Sequence, residues 1–208
     1  MKTLTTILTL LILIGCSNHK SETSSTENRT ELIPEPEQDT QEALDEPQVD
    51  QNTNKNEKCN CKGIVDWEQD VKVPVYNKPN GQLIDTVSHD IEGEDFLTFN
   101  LFDSEEDYFK VEIRRAISGQ AKSGWIKKDD YLGTYASNYS DSDTLFLYSN
   151  PDKSSAPTDT ITKYYTELYQ ILDCKSNWVK VRMEKGNKEY QGWMEPGMQC
   201  PSPYTTCN

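Results

Sequence analysis

Three short blocks recur in the same order along the chain, and this internal repeat constrains the fold more than any other feature. Val73-Pro74-Val75-Tyr76-Asn77-Lys78-Pro79 is echoed by Leu145-Phe146-Leu147-Tyr148-Ser149-Asn150-Pro151. Asp107-Tyr108-Phe109-Lys110-Val111-Glu112-Ile113 is echoed by Asn177-Trp178-Val179-Lys180-Val181-Arg182-Met183. Gly124-Trp125-Ile126-Lys127 is echoed by Gly192-Trp193-Met194-Glu195. One such match arises by chance easily; three in order at a nearly constant offset do not. The chain therefore contains two copies of one small unit, expected over residues 59–140 and 141–208.

Each block reads as a strand or a turn. Val73 and Val75, Leu145 and Leu147, the run Phe109, Val111, Ile113 and the run Val179, Val181, Met183 all alternate with other side chains, the period of a half-buried strand. Asn80-Gly81 supplies a turn that tolerates positive φ, and Lys185-Gly186-Asn187 predicts a hairpin leading into the Gly192-Trp193 strand. Short strands at this spacing predict an all-β chain built as small barrels or sandwiches. One stretch reads two ways. Ile161, Tyr164, Tyr165, Leu168, Ile171 and Leu172 have helical spacing, but β-branched and tyrosine residues are enriched there and the repeat places two strands in it. Strands are the favoured expectation.

The first 60 residues are a different kind of sequence. Every Trp, Tyr and Phe lies beyond them. Met1-Lys2 is followed by the apolar run Leu4–Ile14, which suits the core of a signal peptide and falls short of the ~20 residues a spanning helix needs. Leu13-Ile14-Gly15-Cys16 resembles the lipobox of bacterial lipoproteins. In that family the cysteine sulfur receives a diacylglyceryl group and becomes the new N-terminus. The resemblance implies a signal peptide at residues 1–15, lipid attachment at Cys16, and anchoring to a membrane on its extracytoplasmic side. Residues 16–58 are then a tether, acidic and rich in Ser, Thr, Asn, Gln and Pro. They cannot bury enough apolar surface to offset the entropy of ordering, so disorder is expected, with an end-to-end distance of roughly 35 Å.

Charge and cysteines narrow the function. A formal net charge of -14 repels phosphates, so nucleic acid is not an expected partner. Of six cysteines, lipidation of Cys16 leaves Cys59, Cys61, Cys174, Cys200 and Cys207. An exported protein can form disulfides, and an odd number leaves at least one thiol over. Cys174 and Cys200 flank one repeat, which favours that bridge, with Cys207 joined to Cys59 or Cys61. Cys59-x-Cys61 lacks ordinary zinc spacing, and no metal or other cofactor is expected. Asp141-Ser142-Asp143 lacks the further ligands of a calcium loop and reads as linker. Of the two histidines, His19 lies in the tether and His89, beside Asp90, reads as an exposed loop residue rather than a general base.

The repeated blocks also resemble bacterial SH3-like domains: a Val-x-Val/Leu-Tyr-x-x-Pro opening, a Trp-x-Lys-Val strand and a Gly-Trp-Ile/Met strand within one short unit. The match covers about residues 71–135 and 143–200. The second copy is the closer, with Trp178-Val179-Lys180-Val181 and Gly192-Trp193. The first carries Tyr108-Phe109 at the tryptophan position and a longer insertion, Asp90 to Glu106. Both copies lack the Asn-Val-Arg opening common in the family, having Pro74-Val75-Tyr76 and Phe146-Leu147-Tyr148. The resemblance implies two tandem SH3-like β-barrels and a non-enzymatic binding role, with peptidoglycan or an envelope protein as partner. The candidate ligand residues are the equivalent aromatics Tyr76 and Tyr148, Tyr108 and Trp178, Trp125 and Trp193. Tyr76 and Tyr148 follow inward-reading Val75 and Leu147 and so can face outward beside the first loop. Trp125 and Trp193 suit either core or ligand; a strand that buries alternate residues favours core.

Overall fold

The computed structural model describes residues 58–140, 142–204 and 207. The segments expected to be a signal peptide with Cys16 and a tether with His19, residues 1–57, lie outside these residues, as does Asp141. Among the described residues the chain forms thirteen strands and a single 3-10 turn. They are β1 (Cys61–Val65), β2 (Lys72–Tyr76), β3 (Leu83–Ser88), β4 (Leu97–Glu105), β5 (Tyr108–Arg115), β6 (Lys122–Lys127), β7 (Leu132–Ala136), β8 (Leu145–Tyr148), β9 (Pro157–Ile161), β10 (Tyr169–Lys175), β11 (Trp178–Lys185), β12 (Lys188–Met194) and β13 (Gln199–Cys200).

The all-β expectation holds. The strands pair antiparallel in one open sheet, in the order β3-β2-β6-β5-β4-β1-β7-β10-β11-β12-β8-β9, with β13 added to β7. The ladder does not close in either repeat. It runs from one to the other because β1 pairs both β4 and β7, while β7 pairs both β1 and β10. The stretch with helical spacing forms no helix: Ile161 ends β9, Ile171 and Leu172 lie in β10, and Tyr164, Tyr165 and Leu168 lie in the connection between them. Tyr169 and Ile171 are both buried and sit opposite Thr134 and Val181, so ladder bonds on two sides override the local helical pattern.

The repeat extends into details of the backbone. In the first copy the β4–β5 register shifts between Leu101 and Asp103; in the second the β10–β11 register shifts between Ile171 and Asp173. Each bulge aspartate accepts the next residue's N–H, Ser104 N at 2.9 Å from Asp103 and Cys174 N at 2.8 Å from Asp173. Each hairpin then turns through a left-handed non-glycine residue, Glu106 at φ 30° and Ser176 at φ 51°. The glycine of each Gly-Trp block has a packing reason. A Cβ on Gly124 would lie 2.5 Å from Val75 Cγ1, and one on Gly192 would lie 2.5 Å from Thr158 Oγ1 and 2.9 Å from Leu147 Cβ. Only a residue without a side chain lets β2 and β8 cross this closely.

Alternation supplies the core. Val73, Val75, Phe99, Leu101, Phe109, Val111 and Ile113 from the first copy join Leu145, Leu147, Ile171, Val179, Val181 and Met183 from the second in one buried cluster. The disulfides are Cys59–Cys174 and Cys200–Cys207, with Cys61 a buried free thiol. The expected Cys174–Cys200 bridge, and the expected bridge from Cys207 to Cys59 or Cys61, are thus corrected. A bridge between Cys59 and Ser176 carries the chain just before β1 to the β10–β11 turn, whereas β13 pairs Cys200 with Tyr135 on β7. The long bond therefore links the two copies, and the short one closes a loop at the C-terminus. His89 is also corrected. It is 6% exposed, its Nδ1 accepts Leu97 N–H at 2.9 Å, and its Nε2 lies 3.1 Å from Asp66 O. Burial holds the imidazole below its ordinary pKa. An imidazole accepting at Nδ1 and donating at Nε2 is neutral and serves the β3–β4 loop as a backbone partner.

Candidate functional site

Strand register brings the repeated aromatics into rows. On the first copy Tyr76 of β2 stands opposite Trp125 of β6, Trp125 opposite Lys110 of β5, and Lys110 opposite Asp103 of β4. On the second, Tyr148 stands opposite Trp193, Trp193 opposite Lys180, and Lys180 opposite Asp173. Residues directly opposite share a face of the sheet. The chain thus presents the row Tyr–Trp–Lys–Asp twice. The bulges set its end, because without the extra residue each aspartate would turn to the other face.

The two tryptophans differ in burial: Trp125 is buried, in keeping with the core expectation, whereas Trp193 is only half-buried. Gly124 and Ile126, and likewise Gly192 and Met194, alternate with Trp125 and Trp193, so Ile126 and Met194 enter the apolar cluster and the indoles take the opposite face. Trp125 is covered there to 9% exposure, while Trp193 is half-buried. Tyr76 and Tyr148 are half-buried beside Val75 and Leu147, which are fully buried. A second aromatic braces each tyrosine edge-on. Tyr76 and Tyr108 have ring centroids 6.0 Å apart at 90°, and Tyr148 and Trp178 lie 5.6 Å apart at 86°. Such pairs favour a fixed ring orientation over a mobile one.

The surroundings of the two rows differ in charge. Beside the first, Pro79, Asn80, Ser104, Glu105, Glu106, Asp107 and Tyr108 line a cleft of about 300 Å³. The Tyr108 hydroxyl donates to Asn80 Oδ1 at 3.3 Å and ties the β2–β3 loop to the β4–β5 turn. The corresponding turn of the second copy reads Lys175, Ser176, Asn177, and Lys153 of its first loop pairs with Glu195.

A larger cleft lies away from both rows. Trp67, Glu68, Tyr135, Tyr139, Tyr164, Thr166, Ser202, Pro203 and Tyr204 enclose about 400 Å³, within the range of small-ligand sites. Tyr139 and Tyr164 have centroids 4.7 Å apart, and Trp67 meets Tyr204 at 6.2 Å. The Cys200–Cys207 bridge closes the loop that carries Ser202, Pro203 and Tyr204. Burial, with the nearby Asp66 and Glu68 carboxylates, pushes the Tyr135 hydroxyl up to about 12. Sequence reasoning missed this cleft. Its residues come from the β1–β2 connection, from β7, from the segments after β7 and before β10, and from the C-terminal loop, and none belongs to a repeated block.

Chemistry elsewhere is sparse. Cys61 Sγ lies 3.4 Å from both Ser176 O and Trp178 O, and burial pushes its thiol up to about 11, the behaviour of a structural rather than a nucleophilic cysteine. Among the described residues no group of three or more His, Cys, Asp or Glu is placed to hold a metal ion. Comparison of the chain with protein-family models and with curated proteins finds no match.

Proposed function

We propose that this chain is a non-enzymatic, lipid-anchored protein of the bacterial cell envelope whose two SH3-like units bind a cell-wall peptide or glycan. Cys16 carries the lipid and residues 16–58 hold the folded part off the membrane. The order of elements supports the SH3-like reading of each unit: a two-stranded opening hairpin, then a three-stranded meander whose last strand returns to pair with the first, as β6 does with β2 and β12 with β8. The observation that carries the binding role is the repeated Tyr–Trp–Lys–Asp row. Core packing accounts for the residues on the opposite face of these strands, whereas recurrence of four residues on one face at matched register is what a shared ligand geometry would require. Half-buried tyrosines braced by a second ring offer flat apolar area with a polar tip, at low entropic cost to binding. Two copies on one chain raise avidity when both engage one polymer.

Co-sedimentation with purified peptidoglycan sacculi tests this reading, using residues 50–208, which form one compact unit. Wild type pellets with sacculi, and the Tyr76→Ala, Tyr148→Ala protein, still folded by circular dichroism, stays in the supernatant. Wild type remaining in the supernatant overturns it. A specific observation favours a second reading. The cleft carrying Glu105, Glu106 and Asp107 belongs to one copy only and suits a basic protein partner, as in a subunit of an envelope complex or an immunity-type inhibitor of a toxin. That reading expects one stoichiometric protein in a pull-down, lost on charge reversal of the three carboxylates.

A further inference from the structure

The cleft of Trp67, Tyr135, Tyr139, Tyr164 and Tyr204 stands on residues that the row reading does not use. Its lining includes five aromatic side chains and the Glu68 carboxylate, and no lysine, arginine or histidine. Aromatic faces carry the negative side of the ring quadrupole, and several rings around one space attract a cation with little water of its own. The carboxylates reinforce that sign, since Asp66 and Glu68 both act on the Tyr135 hydroxyl and raise it. Neutral apolar ligands gain nothing from this charge, and anions are repelled by it.

The walls are built rather than incidental. Trp67 is held edge-on by the buried His89 ring at 5.1 Å and by Phe96 at 6.2 Å. Phe96 also meets Tyr204 at 5.6 Å, so the C-terminal loop, closed by its disulfide, leans on the same aromatic group. Asp66 accepts from Glu68 N at 3.0 Å and Gln69 Nε2 at 2.8 Å, which fixes the turn that presents both Trp67 and Glu68. Tyr204 itself is 59% exposed, so one wall of the space is open to an entering ligand.

We propose that this cleft binds a substituted organic cation of the trimethylammonium class, with the rings as its cage and Glu68 as its counter-charge. A trimethylammonium group matches the lining in both respects. Its positive charge is spread over methyl groups that pack against rings, and it has no N–H to satisfy.

The test is isothermal titration of the full-length protein with choline, with its neutral isostere 3,3-dimethylbutan-1-ol and with N-acetylglucosamine. Choline binds, and the isostere of the same shape binds about tenfold more weakly, the factor expected when cation–π and carboxylate attraction are removed. Glu68→Gln weakens choline severalfold and leaves the isostere unchanged. Glu68 is exposed, so this variant does not threaten the fold. Choline also changes the tryptophan emission, a change lost in Trp67→Phe. Vesicles of phosphatidylcholine against phosphatidylglycerol distinguish a lipid headgroup from a free amine as the source. Equal affinity for choline and the isostere, tighter binding of the sugar, or no choline binding at millimolar concentration overturns the proposal. Tyr76→Ala, Tyr148→Ala retains choline binding, so failure of the row reading and failure of this one are distinguishable.

Discussion

Removing the Cys59–Cys174 bond should cost far more stability than removing Cys200–Cys207. The first closes a loop with a sequence separation of 115, the second one of 7. A cross-link stabilises chiefly by denying the unfolded chain its open conformations, and the chain-entropy relation gives about 5 kcal/mol for the long loop and about 2 for the short one. The unit as a whole is expected to be stable by only ~5–15 kcal/mol, so the long bond accounts for a large share. The assay is urea unfolding of Cys59→Ala, Cys174→Ala and of Cys200→Ala, Cys207→Ala. Both are made in a Cys61→Ala background, so that the free thiol cannot exchange with the disulfide that remains. The long-loop variant should show the lower midpoint and also a larger m-value, because its unfolded state expands once the link is gone. Equal losses in the two variants, or a greater loss from the short loop, would refute the entropic account and place the stabilisation in local native contacts around each bond.

Three further outcomes follow from single side chains. The folded His89 imidazole titrates below its ordinary 6.5 because burial opposes its charge. The unfolded chain therefore takes up the proton first, and stability that is complete above pH 6.5 falls as pH drops toward the lowered folded value, by at most about 1.4 kcal/mol per pH unit; a urea titration across pH 7 to 5 should show this slope and His89→Gln should flatten it. Gly192→Ala forces a Cβ against Thr158 and Leu147 and should destabilise by about 1–3 kcal/mol as an overpacking change, read by thermal unfolding, while Gly186→Ala, with open space around it, should lose less and only through its left-handed φ of 62°. Cys61, buried and pushed up to about 11, should resist iodoacetamide at pH 8 in the native protein and react on unfolding, with mass spectrometry as the readout.

How much of this was legible in the sequence depends on whether a feature occurs twice. Val73 and Val75, Leu145 and Leu147, and the Phe109 and Val179 runs announced themselves by period and by their echo, and they form the core as read. The aromatics Tyr76, Tyr108, Trp125 and their counterparts were likewise found by recurrence. Their grouping was not. A bulge leaves no mark in composition, so Asp103 and Asp173 could not be joined to their rows until the register was known. The burial of the Gly-Trp strands was legible only in part: alternation says that neighbours face opposite ways but not how far each is covered, and here Trp125 and Ile126 are both buried while Trp193 is half-buried beside a buried Met194. The bond between Cys59 and Cys174, the burial of His89 and the cleft under Tyr204 share a different property. Each is made once, from residues outside the repeated blocks. Repetition exposes what both copies need, while the junction that joins them carries residues with no echo. The cleft of about 400 Å³ lies among those unrepeated residues, so the part of this chain hardest to read in sequence is also where a function distinct from that of the repeats has room to reside.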